Sequence, residues 1–119
     1  MERVKHVYHG AKQIVFLDFS GCRIQDLPVI MDKAEKLIRS EPLNSVLTLT
    51  DVSGARYNIE TSAALKEFVK GNKPFVKAGA VVGLDALKKI IFNGVMYFSG
   101  RSLAAFDDMD AAKDWLVRQ

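Results

Sequence analysis

Thiol and imidazole chemistry are both scarce in this chain: of 119 residues, one is cysteine and two are histidine. A single thiol, Cys22, excludes an intrachain disulfide. A nucleophilic cysteine needs a base, and nothing in the sequence brings His6 or His9 to it. Cys22 therefore reads as a small buried hydrophobe. The two histidines stand three apart on an extended segment, where side chains at i and i+3 point to opposite faces, so they make no metal site. No metal and no cofactor is expected.

Charge of one sign is also missing. Residues 1–40 carry 7 basic and 5 acidic side chains, residues 41–80 carry 5 and 4, and residues 81–119 carry 5 and 5. No basic block with interleaved aromatics appears, which argues against nucleic-acid binding despite a pI near 9.1. The longest near-apolar run, Ile90–Phe98, is far short of the ~20 residues a membrane span needs. Charges fill the N-terminal segment where a signal core would lie, so a cytoplasmic protein is expected. Gly79–Ala80–Val81–Val82–Gly83 lacks both the third glycine of a dinucleotide fingerprint and the lysine of a phosphate loop. No nucleophile elbow is present either.

What is there suits one globular domain, residues 1–119. The chain weighs 13.2 kDa and is 49% hydrophobic and 26% charged, enough to bury a core without disulfides. Val4–Tyr8 and the β-branched run Gln13–Phe19 predict two strands joined by a tight turn, hence an antiparallel hairpin. Leu27, Ile30, Met31, Ala34, Leu37 and Ile38 fall at helical spacing, with Asp26 as cap and Pro28 in the first turn. Ser45–Thr50 predicts the next strand and Ile59–Lys70 a helix capped by Asn58. Lys77–Gly83 predicts another strand. Asp85 starts a helix whose expected core stripe is Leu87, Ile90, Ile91, Val95 and Phe98, closed by Gly100. Ser102–Phe106 predicts a short strand, and Asp107 or Asp108 caps a last helix burying Ala111, Ala112, Trp115 and Leu116. The order β-β-α-β-α-β-α-β-α predicts an α/β fold: a mostly parallel five-stranded sheet with an antiparallel N-terminal edge hairpin and four helices. Thr48, Thr50 and Gly79 on inner strands suggest that one face of the sheet is less thickly covered than the other.

One echo stands out. Asp18-Phe19-Ser20-Gly21 and Asp51-Val52-Ser53-Gly54 both put Asp-x-Ser-Gly at a strand's carboxyl end, where open α/β sheets carry their sites. Two neighbouring carboxylates can divide acid and base roles or hold a cation. Asp in this setting also simply accepts turn N–H groups. With no other motif, no enzyme is expected. Lys66, Lys70, Lys73 and Lys77 form a basic strip, favoured by the end of a helix dipole or serving as a docking patch for an acidic partner or anionic lipid. Phe92 and Met96 lie four apart as a second ridge on the third helix. Either they pack beneath a neighbouring element, or they are partly exposed in a homodimer contact or partner site.

This element order, with a strand ending in Asp-x-Ser-Gly before a Ser-bearing helix start, resembles the STAS domain, that of sulfate transporters and anti-sigma-factor antagonists. The stretch from Asp51 to Leu65 (DVSGARYNIETSAAL) is similar to the family's two-part Asp-Leu-Ser-Gly and Asp-Ser-Ser-Gly-Leu signature. The second half, from Phe75–Val82 to Ala111–Leu116, is closer to an uncharacterised bacterial STAS-like subfamily related in fold to the CRAL-TRIO lipid-binding domain. The resemblance implies a regulatory protein-interaction module, with a kinase-like or anti-sigma-type partner. Glu60-Thr61-Ser62-Ala63 matches the phosphorylated tetrad, making Ser62 the candidate phosphoacceptor and Thr61 the second. Without that role, both residues would satisfy free N–H groups of the first helical turn. Contacts to a partner would come from Ser53, Gly54, Arg56, Tyr57, Glu60, Lys66 and Lys70. The alternative implied by the lipid-binding relatives is a carrier of a small apolar ligand or lipid, which needs a pocket of about 300 Å³ or more.

Overall fold

In the computed structural model, which describes residues 2–101 and 103–119, the hairpin pairs Val4–His9 (β1) with Lys12–Asp18 (β2). Its register runs from Val4 opposite Leu17 to His9 opposite Lys12. The remaining strands, Val46–Asp51 (β3), Val76–Val82 (β4) and Ala104–Phe106 (β5), add in parallel, giving one sheet in the order β1-β2-β3-β4-β5. The helices are Leu27–Ile38 (α1), Ile59–Asn72 (α2), Ala86–Ser99 (α3) and Met109–Val117 (α4), with a short 3₁₀ turn at Ile24–Asp26. This is the predicted α/β architecture.

The strand order never doubles back. Crossovers of one hand then place α1, α2 and α3 on the same face, and α4, following the last strand, is left to cover the other. Strand alternation sorts the side chains accordingly. Val15, Leu17 and Val46 join the core under α1 and α2, while Ile14, Leu47, Leu49, Ala80 and Val82 meet Ala112 and Leu116 of α4. The expectation of a thinly covered Thr face is corrected in kind. Thr48 and Thr50 lie beneath the three-helix layer, and that layer stands over a cavity. The face is hollow rather than bare.

The caps follow the sequence with one exception. Asn58, Asp85 and Asp108 accept the N–H groups of Thr61, Lys88 and Ala111 at 2.9, 2.8 and 2.9 Å. Gly100 ends α3 at φ 70°, a left-handed conformation that glycine adopts without strain. Asp26, by contrast, does not cap α1. Its carboxylate takes the Arg23 N–H and guanidinium instead, which also holds it below the usual carboxylate pKa. α2 runs two residues past Lys70, because buried Asn72 accepts from Arg39 Nε at 3.0 Å and keeps the last turn helical. β5 starts at Ala104 rather than Ser102, which lies outside the described residues.

α3 departs most. Leu87, Ile90 and Phe98, assigned to the core stripe, are 62%, 69% and 42% exposed, and the inward line is Lys88, Ile91, Val95 and Ser99. The helix is apolar nearly all round, so periodicity alone does not fix its phase. Asp85 takes the Lys88 N–H and holds the Lys88 ammonium at 3.3 Å, so Lys88 lies on the buried side with its charge paired.

Candidate functional site

The carboxyl edge of the sheet carries the two Asp-x-Ser-Gly turns side by side. Asp18 and Asp51 are register partners across β2 and β3. Each carboxylate is already used: Asp18 accepts the Ser20 N–H and hydroxyl, and Asp51 accepts the Ser53 N–H at 2.9 Å. Gly21 and Gly54 turn the chain at φ 61° and 65°, and the Gly21 N–H donates to the Ser53 carbonyl at 2.8 Å. The echo is thus a pair of matched Asx turns. Because the strand order has no reversal, the sheet also lacks the crevice where such folds bind ligands. Among the described residues, no three His, Cys, Asp or Glu side chains gather as a metal site. Cys22 is buried, and burial pushes its thiol pKa up, away from the reactive thiolate. His9 faces Asp114 at 2.7 Å, on the α4 side of the hairpin.

The second feature is the cavity between α2, α3 and the sheet, about 120 Å³ in volume. Leu65 and Phe68 of α2, Ile91, Phe92 and Val95 of α3, and Leu17 and Val81 of the sheet give it an apolar wall. Thr48 and Thr50 form part of its floor, and Lys88 and Arg101 reach it from α3 and the segment that follows. Lys88 is neutralised by Asp85. Among the described residues no carboxylate pairs with Arg101, whose one side-chain bond is a long 3.5 Å contact to the Val69 carbonyl. Burial pushes its pKa down to about 10. Gly79 makes room for close packing beside the cavity: a Cβ there would meet Leu103 Cδ2 at 2.6 Å, Thr48 Oγ1 at 2.8 Å and an Arg101 terminal nitrogen at 2.9 Å. The sequence reading singled out Gly79 but missed Arg101. A glycine inside a buried strand signals close approach by another group, and that was the available clue.

The third feature is the outward face of α3. Leu87, Ile90 and Tyr97 recur at helical spacing with Phe98 beside them, Tyr97 being 93% exposed. Ile59, 90% exposed, stands at the start of the adjoining α2. Lys70 lies with its ammonium 5.1 Å from the Phe98 ring centroid, and the Lys66 stem crosses α3 at Gly94.

The residues marked from the sequence fall in different places. Ser53, Gly54 and Glu60 are exposed at the carboxyl edge; Arg56 and Tyr57 border the cavity there. Lys70 lies about 15 Å from Glu60 along α2, so these side chains do not form one patch. Ser62 is half-buried in the first turn. Thr61, expected to be accessible, is buried instead, because its hydroxyl closes the cap with the Asn58 N–H and carbonyl. Phe92 and Met96 are half-buried, and Phe92 turns into the cavity, so the outward apolar ridge is a different one.

No protein-family model matches this sequence, and no curated protein is similar to it. Among solved structures, the chain is similar to an uncharacterised protein of the DUF3478 family from Shewanella loihica, described as having a SpoIIAA-like fold. Identity is 14%, the TM-score is 0.75, and the match covers 95% of this chain and 91% of that one. The chain therefore has the STAS-like, SpoIIAA-like fold.

Proposed function

We propose that this chain is a non-enzymatic, cytoplasmic interaction module that docks a partner protein on the outward face of α3. The observation that carries the reading is the exposed line of Leu87, Ile90, Tyr97 and Phe98. A helix apolar on both faces is normally covered on both, and a clustered apolar patch marks an interaction site where scattered single residues do not. Lys66, Lys70 and Lys89 flank the line, so the partner surface is apolar at its centre and acidic at its rim. Against catalysis stand the turn-bound carboxylates of Asp18 and Asp51 and the buried thiol of Cys22. Ser62 remains the candidate phosphoacceptor. A phosphate at the start of α2 would add nearly two negative charges close to the Leu87 end of the docking face.

The test is site-specific photo-crosslinking in the native host from positions 90 and 97, with Lys33 on α1 as control. The expected result is an adduct with one acidic protein from both α3 positions and none from position 33, abolished by Lys66→Glu with Lys70→Glu. Adducts with lipid alone, or with a second copy of the chain, overturn the partner reading.

A second reading rests on the cavity. About 120 Å³ is well below the roughly 300 Å³ of a site for larger ligands, which favours a small ligand over a lipid. It is close to the engineered cavity of about 150 Å³ that binds benzene. A ligand of about six non-hydrogen atoms fits.

A further inference from the structure

Resting on that second reading, we propose that the cavity beneath α2 and α3 binds a short-chain monocarboxylate of four or five carbons, its carboxylate on the Arg101 guanidinium and its tail among Leu65, Ile91 and Val95. Three observations converge on this ligand. The first is charge. Lys88 is balanced by Asp85 at 3.3 Å, whereas Arg101 has no carboxylate partner among the described residues. Arg56, the other cation that borders the cavity, is exposed, so Arg101 is the one half-buried cation there without a carboxylate partner among the described residues, which suits an anion of a single charge.

The second is geometry. A guanidinium presents parallel N–H donors that match the two oxygens of a carboxylate. Gly79 lets one terminal nitrogen of Arg101, the buried Thr48 hydroxyl and Leu103 converge on one point of the floor, so closely that no Cβ would fit between them. A carboxylate therefore meets the guanidinium from the cavity side rather than on the Gly79 floor. The third is size and polarity. The rest of the wall is aliphatic and aromatic, and the volume of about 120 Å³ accommodates a chain of four or five carbons and little more. Burial lowers the pKa of Arg101 to about 10, so its charged form is disfavoured in the cavity and an anion beside it would favour it.

The experiment is a methyl-NMR titration of the full chain with butyrate, butan-1-ol and decanoate, observing the Leu65, Ile91 and Val95 methyl groups. Butyrate is expected to shift all three and to bind about tenfold more tightly than butan-1-ol, the worth of one charge-assisted contact. Decanoate should bind more weakly than butyrate. In Arg101→Met, which replaces the cation by an apolar chain, the preference for butyrate over butan-1-ol should vanish while the alcohol still binds. Should that variant misfold, the butyrate-to-butanol ratio of the unmodified chain decides alone. Equal affinity for acid and alcohol overturns the carboxylate assignment and leaves the cavity reading intact. Shifts from none of the three ligands overturn both. Decanoate binding more tightly than butyrate overturns the size limit.

Discussion

The two faces of the sheet solve the same packing problem differently. On the α4 face, Ile14, Leu49, Ala112 and Leu116 are fully buried in one cluster. On the opposite face three helices cover the strands, yet the floor holds two threonines and a glycine, and a guanidinium occupies the space. Close packing is the ordinary state of protein interiors, so the filled face needs only stability to explain it. The hollow face forgoes dispersion contacts and keeps a charge from water. The cost is concentrated where the proposed ligand site and the proposed docking helix lie, and the filled face lies on the other side of the sheet.

The contrast can be broken most severely at its tight end. Leu116→Ala should cost about 2–5 kcal/mol, since a rigidly packed site cannot collapse around the lost atoms; urea denaturation read by circular dichroism measures it. The comparison is sharpened by adding volume to both faces. Ala112→Leu should destabilise by about 1–3 kcal/mol through overpacking. Val95→Leu, which grows into the cavity, should stay within about 1 kcal/mol of the parent. Equal losses from the two would show that the hollow face is as tight as the filled one. The smallest effect belongs outside both layers. Ile90→Ser and Tyr97→Ser should each change unfolding free energy by no more than about 0.5 kcal/mol, because these side chains are 69% and 93% exposed. A larger loss would mean that the outward face of α3 carries part of the core.

These differences also mark how far the sequence could be read. Element order and the antiparallel hairpin followed from Gly10, the β-branched run ending at Phe19, and caps that act within three residues of themselves. Such signals are local and survive any tertiary arrangement. The phase of α3 was not legible, because Leu87, Ile90, Ile91, Phe92, Val95, Met96 and Phe98 supply apolar residues to almost every direction. Lys88 lies on the buried side with its charge paired to Asp85, and that pair reads in sequence as an ordinary cap. Thr48 and Thr50 pointed to a thinly covered face and lie under three helices instead, because an inner hydroxyl is equally consistent with exposure and with a chamber. Only the meeting of Gly79 with Arg101, 22 positions later, distinguishes the two, and no local pattern encodes it. The Asp-x-Ser-Gly echo was legible as geometry. Its chemistry was not, because a carboxylate spent on a turn and one free to act look identical in a sequence.

The glycine turns at the carboxyl edge have a mechanical consequence. Gly54 stands against Gly21, and Gly83, at φ 88°, lies so close to the Ser53 backbone that no Cβ could be accommodated. Hydrogen bonds continue the stitching past the strands, from Phe19 to Asp51 and from Val52 to Val82 at 2.9 and 3.0 Å. The exits of β2, β3 and β4 are thereby tied into one clasp, from which the chain runs on into α1, α2 and α3. Any opening of the helical layer pivots there, with its largest displacement at the far ends of α2 and α3, where Lys70 lies over Phe98. A load applied at Phe98 would therefore act on the layer at the greatest distance from the clasp.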